Sequence, residues 1–423
     1  MQSLHYQKEF LSPVWSRSNS IIADHGKGAY IYDQNGVEYL DFTSGIGVTN
    51  TGHCHPRVVE AVREQALSLL HGQVNIILHK PLLALIQELR EIVPPDMDCF
   101  FFSNSGAEAV EGALKLARHA TGKPNIIVFQ GSFHGRTVGT MSLTSSKTIY
   151  RTGYQPLMAG VFVAPYPYAY RYSWDEEQTS HWCLEELEHL LITQTAPGET
   201  AAVLVEPILG EGGYIVPPAG FLEGVRRVCD ENQMLLIVDE IQSGFGRTGR
   251  WFAYEHFDIH PDIITIAKGL ASGLPISGVI SREELMQKWI AGSHGGTYGG
   301  NAIAAAAAFA TIQIIRDEGL LENSTKRGEQ LLSGLRSLQD RFPCIGDVRG
   351  KGLMVGCEFR DRHRKPDKAM AKSIIQACFE HRMLLLTCGP WDNTIRFIPP
   401  LICTEAQIAE SLEIFEAVLE EVI

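Results

Sequence analysis

The sequence predicts an α/β fold: a large domain on a mainly parallel sheet, followed by a small α+β domain. Three observations carry this. Short apolar runs rich in β-branched residues, 235–238 (LLIV) and 263–266 (IITI) among them, are bounded by turn signals and read as strands buried on both faces. Such runs alternate with amphipathic helical stretches from Cys99 onward, the order that yields parallel strands with helical crossovers. Near Gly346 the alternation gives way to a strand, helix, strand, strand, helix order. The expected division is 1–50 as an arm and hairpin, 51–330 as the large domain and 331–423 as the C-terminal small domain.

The elements follow in order. In 28–42 (GAYIYDQNGVEYLDF) two alternating strands flank Asn35-Gly36, the preferred pair of a type I′ turn. A Gly-rich passage, 44–52, precedes a helix over 56–70, with Val58, Val59, Val62, Ala66 and Leu69 at helical spacing, and a second helix over 81–92. The apolar run 99–102 is a strand, after which Ser105 and Glu108 form a capping box for a helix that Gly122 stops. A strand over 125–129 ends in Gln130 to Thr137. The Tyr- and Pro-rich stretch 165–178 reads as a surface excursion, extending through 165–200 around a helix at 183–192. A strand at 201–205 runs into Glu206 and the Gly-rich 210–213, and a helix at 221–231 leads to the strand 235–238. Past 263–266 come a strand at 276–280, a Gly-rich turn at 295–301 and an Ala-rich helix from 302 to 315. Strands at 353–359, 384–387 and 394–398 and helices at 368–380 and 405–419 complete the chain.

Composition excludes several function classes. A net charge of −13 argues against nucleic acid or an anionic membrane as partner. Nine cysteines, an odd number without a C-x-x-C, read as reduced core thiols. No stretch approaches the ~20 apolar residues of a membrane span, and the N-terminus lacks a signal-peptide pattern, so a cytoplasmic protein is expected. His53-Cys54-His55 is too tightly spaced to converge on one ion, and no metal is expected. Gly244, Gly246 and Gly249 match a dinucleotide fingerprint, but five residues separate them from the strand and no helix opens after them.

The chemistry gathers at the strand ends. Asp239 follows one buried strand and Lys268 the other, and ligands of open α/β sheets bind at carboxyl ends. A lysine facing a fixed carboxylate suits pyridoxal 5′-phosphate, which takes an amine at its aldehyde and an anion at its ring nitrogen. A structural ion pair fits those two residues as well. Ser105, Gly106 and Ala107 at a helix start can cradle a phosphate or simply cap. Phe133 can stack on a ring or pack in the core, with Arg136 beside it. Glu206 and Glu211 lie in the cleft or are solvated loop acids.

Taken together, Ser105-Gly106-Ala107, Phe133-His134-Gly135, Asp239 with Gln242, Lys268 and Gly296-Thr297 resemble, in this order, the class III (ω-type) pyridoxal-phosphate-dependent aminotransferases of fold type I. Nearly the whole chain is covered, and the likeness is greatest to bacterial 4-aminobutyrate aminotransferases. The resemblance implies a small domain built from both N- and C-terminal segments. It implies Lys268 as Schiff-base lysine and proton shuttle and Asp239 as partner of the pyridine nitrogen. Phe133 and Ile241 would flank the ring, Gln242 would approach the phenolic oxygen, and His134 and Ser105 complete the cofactor set. Gly106 and Ala107 amides would hold the phosphate, with Thr297 contributed by a neighbouring subunit of a homodimer or of a dimer of dimers. Ile46, Arg136, Glu206, Glu211 and Arg396 fall where these enzymes place their substrate pocket, while Gly47 and Gly299 depart from the usual alanine. The implied partners are an amino donor such as 4-aminobutyrate and the keto acid 2-oxoglutarate. A racemase or epimerase on the same scaffold, an acetylornithine- or ornithine-type aminotransferase, and a catalytically silent binding protein are the alternatives.

Overall fold

A computed structural model describes residues 11–423. Its centre is a seven-stranded sheet in the order Cys99–Ser103, Ser277–Ser281, Ile263–Ile266, Leu235–Asp239, Thr200–Val205, Asn125–Phe129, Val161–Ala164. All strands run parallel except Ser277–Ser281, which pairs antiparallel with both neighbours. Along Thr200–Val205 the side chains alternate between two buried clusters, Val203 and Val205 on one side and Ala202 and Leu204 on the other. The strand is thus covered on both faces, which accounts for its continuous apolar run. The helix Gly106–Thr121 packs on one face, and Ala302–Asp317 packs against the helices Pro56–Ser68 and Lys80–Arg90.

A second, antiparallel sheet holds Ile345–Lys351, Met354–Phe359, Thr394–Phe397 and Leu386–Cys388. A third joins the N-terminal strands Ala23–Lys27, Tyr30–Asp33 and Glu38–Asp41 to Met383–Leu384 from the far end of the chain.

Three local expectations change. The turn after Tyr30–Asp33 is not type I′, since Gly36 alone of the Asn35-Gly36 pair has positive φ (79°). Asp33 takes control of it: its Oδ1 accepts from the amides of Asn35 (2.8 Å) and Val37 (2.9 Å), an Asx turn. The stretch 165–178 is a surface excursion only in its second half: 165–168, Tyr166 and Tyr168 among them, are buried, Arg171 and 173–178 are exposed, and the helix begins at Glu176 and runs to Thr193. Asp175 caps it by accepting from Gln178 N, and Glu176 and Glu177 suit the positive end of the helix dipole, so a polar stretch becomes helical. The strand Ser277–Ser281 is the antiparallel member of a sheet that is otherwise parallel, in keeping with the mainly parallel sheet expected. Finally, the long helix Leu320–Arg341 and the strand Ile345–Lys351 arise where no element was anticipated.

Candidate active site

The carboxyl ends of the parallel strands open on one cavity of about 400 Å³. Ser105, Gly106, Ala107, Phe133, His134, Arg136, Glu206, Asp239, Ile241, Gln242 and Lys268, widely separated in sequence, all border it. Lys268 lies just past Ile263–Ile266 with φ +38°, a left-handed conformation that strains a residue bearing a side chain and marks functional positions. Burial lowers its pKa against the opposing pull of Glu211, Asp239 and Glu206, so the neutral amine becomes more accessible. Among the described residues, the Lys268 amine has no hydrogen-bond partner.

Asp239 ends its strand almost fully buried. Its Oδ1 accepts from the Ile241 amide (3.1 Å), and its Oδ2 faces His134 Nδ1 at 2.7 Å. That leaves a fixed carboxylate on the cavity wall with an imidazole behind it. The second ring nitrogen of His134 and the Gln242 side-chain oxygen are buried without partners. Glu206 accepts from the amides of Phe133 and Gly210, both at 2.8 Å. Burial outweighs these bonds and, with Asp239 nearby, pushes its carboxyl up to about 7.

At the helix start, the Ser105 hydroxyl accepts from Glu108 N while Glu108 returns a bond to Ser105 N, the expected capping box. The reciprocal pair leaves the Gly106 and Ala107 amides free at the positive end of a sixteen-residue helix, a ready anion cradle. A Cβ at Gly106 would stand 3.0 Å from Ile241 Cδ1, so glycine keeps this wall close to the strand-end loop. A group with a phosphate, a flat ring and a carbonyl therefore meets matching partners: free helix amides, Phe133 and Ile241, a buried carboxylate and an unpartnered lysine.

Next to this cavity Arg396 donates to Glu211 in a buried ion pair, the two residues 5% and 9% exposed. Burial alone would raise the Glu211 carboxyl, but Arg396, Lys268 and Lys147 more than offset it and hold it below the usual range. Burial likewise works against the Arg396 charge, and Glu211 overcomes it, keeping the guanidinium ionised. Arg136 has no carboxylate partner among the described residues; its guanidinium lies 4.8 Å from the Tyr150 ring centre and 5.9 Å from that of Phe133.

Four predicted residues do not line the cavity: Glu211 and Arg396, which form the ion pair beside it, and Ile46, at φ 69° and 38% exposed, and the exposed Thr297, which stand apart. Tyr150 and the 274–276 wall went unnoticed in the sequence. Neither carries a spacing signal, because each reaches the site only through the path of its loop. The two glycine departures have a local reason. A Cβ at Gly299 would lie 2.4 Å from the Phe102 carbonyl oxygen, and one at Gly47 would lie 2.6 Å from Ile398 Cδ1.

The profile of the class III aminotransferases matches residues 11–419. The chain is similar to a probable 4-aminobutyrate aminotransferase of Bacillus subtilis, 40% identical over 414 residues that span 97% of this chain and 95% of the relative. It is 37% identical to an alanine/serine racemase of Pyrococcus horikoshii, over 95% of this chain and 86% of that one. Among solved structures, a PLP-bound amine transaminase from an uncultivated Pseudomonas species matches with a TM-score of 0.93 at 30% identity, over 99% of both chains.

Proposed function

We propose, because this chain belongs to the class III aminotransferases, a family of pyridoxal-phosphate-dependent enzymes, that it moves the amino group of 4-aminobutyrate or a related ω-amino acid to 2-oxoglutarate, yielding glutamate and the semialdehyde. Bound pyridoxal phosphate supplies an aldehyde that joins amines and a ring that takes up the electron pair released at the substrate carbon. The chain's residues do the rest. Lys268 holds the cofactor carbonyl, then takes and returns the proton at the reacting carbon, work to which a lowered pKa is suited. Asp239, steadied by His134, keeps the ring nitrogen protonated. Phe133 and Ile241 flank the ring, Gln242 meets the phenolic oxygen, and the amides of Gly106 and Ala107, with Ser105, hold the phosphate.

The observation that carries the substrate reading is the buried Glu211–Arg396 pair beside a carboxylate-free Arg136. An ω-amino acid has one distal carboxylate, which Arg136 binds. Glutamate adds an α-carboxylate at the reacting carbon, and Arg396 receives it once Glu211 swings away. While the ω-amino acid is bound, Glu211 neutralises Arg396, which would otherwise be a costly unpaired charge in a dry site. Glu206, which borders the cavity, shapes the pocket around these anchors.

Single-turnover measurement of each half-reaction tests this. Arg396→Ala should cost the glutamate half-reaction about 2–5 kcal/mol and the 4-aminobutyrate half-reaction far less. Equal losses in both would sink the switch. The racemase-like relative motivates a second reading, inversion of an amino acid, which needs no keto acid; glutamate formation that depends on 2-oxoglutarate separates the two.

The same reading includes a homodimer with shared sites, in which Thr297 reaches the neighbouring subunit's phosphate. It is supported by exposed apolar side chains near that loop, among them Tyr298 (62%), Leu67 (83%), Ile76 (80%) and Leu78 (65%). The reading assigns 51–330 to the cofactor domain and 1–50 with 331–423 to the small domain. Among the described residues no helix is long and apolar enough to cross a membrane, and the proposed location is the cytoplasm.

A further inference from the structure

A second cavity, about 660 Å³, lies between the 169–174 segment and the sheet that contains Met354–Phe359. It shares no lining residue with the active-site cavity. Its size is that of a small-molecule site, and its walls have an uncommon composition. Three guanidinium groups, those of Arg171, Arg360 and Arg364, share it with the rings of Tyr170, Trp174 and Trp391.

None of the three arginines has a carboxylate within ion-pair distance among the described residues. Glu358 stands on the same wall but is already engaged by Arg349 (2.7 Å), the Tyr168 hydroxyl and the Asn393 amide (3.2 Å). Arg171 instead lies over the Trp391 ring, 5.0 Å from its centre, with Arg171 exposed and Trp391 38% exposed. Arg364 sits at the end of a tight turn with φ +63°, in which the Asp361 carboxylate accepts from the amides of His363 (2.8 Å) and Lys365 (2.9 Å). Asp361 Oδ1 is thus engaged by the backbone, and among the described residues Arg364 forms no ion pair with this carboxylate. Arg360 donates its Nε to the Pro343 carbonyl oxygen (3.3 Å), and in a chain of net charge −13 three guanidinium groups without a carboxylate partner along one aromatic cavity form a local exception.

We propose that this cavity is a second binding site, taking a planar aromatic ligand that carries an anionic group. The indole and phenol faces supply stacking area, and guanidinium groups bind carboxylate or phosphate in a planar fork while themselves stacking on rings. Neither half of the chemistry suffices alone, so a ring without charge and an anion without a ring bind poorly. Because the two cavities share no residue, the ligand does not compete with amine or keto acid.

The test is titration of the holoenzyme, followed by tryptophan fluorescence and calorimetry. Adenosine monophosphate and 1-naphthoate serve as phosphate and carboxylate probes, with adenosine and inorganic phosphate as controls. At least one probe should saturate at one ligand per chain, about tenfold tighter than either control, and which one does identifies the anion. Trp391→Phe should reduce the fluorescence change. Arg171→Ala and Arg364→Ala, both surface changes, should each weaken the probe by about tenfold while transaminase rate constants stay unaltered. Saturating substrate should leave probe affinity unchanged. Failure of both probes to saturate, equal binding of the uncharged ring, or undiminished binding by both arginine variants would overturn the proposal.

Discussion

At the scale of single residues, the site depends on what burial does to charge. Glu206 shows it best, because burial raises its carboxyl to about 7 despite two amide bonds and the neighbouring His134. A raised folded-state pKa means the folded protein prefers the neutral acid. Its contribution to stability is full below the unfolded value, 4.5, and is lost as pH rises through about 7. Glu206→Gln removes this loss. Denaturant unfolding of apoprotein at about pH 5 and about pH 8 should therefore show the variant gaining roughly 2–3 kcal/mol on the wild type between the two. A difference that stays flat with pH would refute the account. Sequence reading picked out Glu206 as a strand-end acid but left open whether it was buried or solvated. The missing information was the backbone that wraps the carboxylate, Gly210 from the same loop and Phe133 from a loop 73 positions away.

At the scale of elements, the capped helix Gly106–Thr121 was legible because its signals are local: a Ser and a Glu three residues apart and a terminal glycine, found at φ 70°. The helix Glu176–Thr193 was only half legible, since its first turns are polar and its start rests on one Asp175 cap. The turn before Ala302–Asp317 shows the opposite limit. Gly299 has an ordinary backbone conformation, yet a Cβ there would press on the Phe102 carbonyl oxygen at 2.4 Å. Gly299→Ala should thus destabilise by about 1–3 kcal/mol through displacement of the strand edge Cys99–Ser103. Thermal unfolding checks it, and an unchanged midpoint would mean that the turn yields freely.

At the scale of the whole molecule, the proposed dimer makes each site depend on two chains. Lys268→Ala and Thr297→Ala proteins, each impaired, should complement when their subunits exchange. One site of the mixed dimer then carries both defects and the other none, restoring up to about a quarter of wild-type activity. Proven exchange without recovery would count against a shared site. The exposed position of Thr297, away from its own chain's cavity, is what makes the experiment decisive.

The sequence by itself determined the α/β class, the buried strands, the capped helix Gly106–Thr121 and the identities of Asp239 and Lys268 as strand-end groups. All of these follow from periodicity and turn chemistry within windows of a few residues. Tertiary structure alone decided which charges face one another. It paired Glu211 with Arg396 across 185 positions and set His134 behind Asp239 across 105. It set Ser277–Ser281 antiparallel within the sheet and turned 165–168, with Tyr166 and Tyr168, inward while 173–178 stayed at the surface. The physical reason is common to these cases. Burial and strand direction depend on which distant segments cover a residue, and no local pattern of side chains records that.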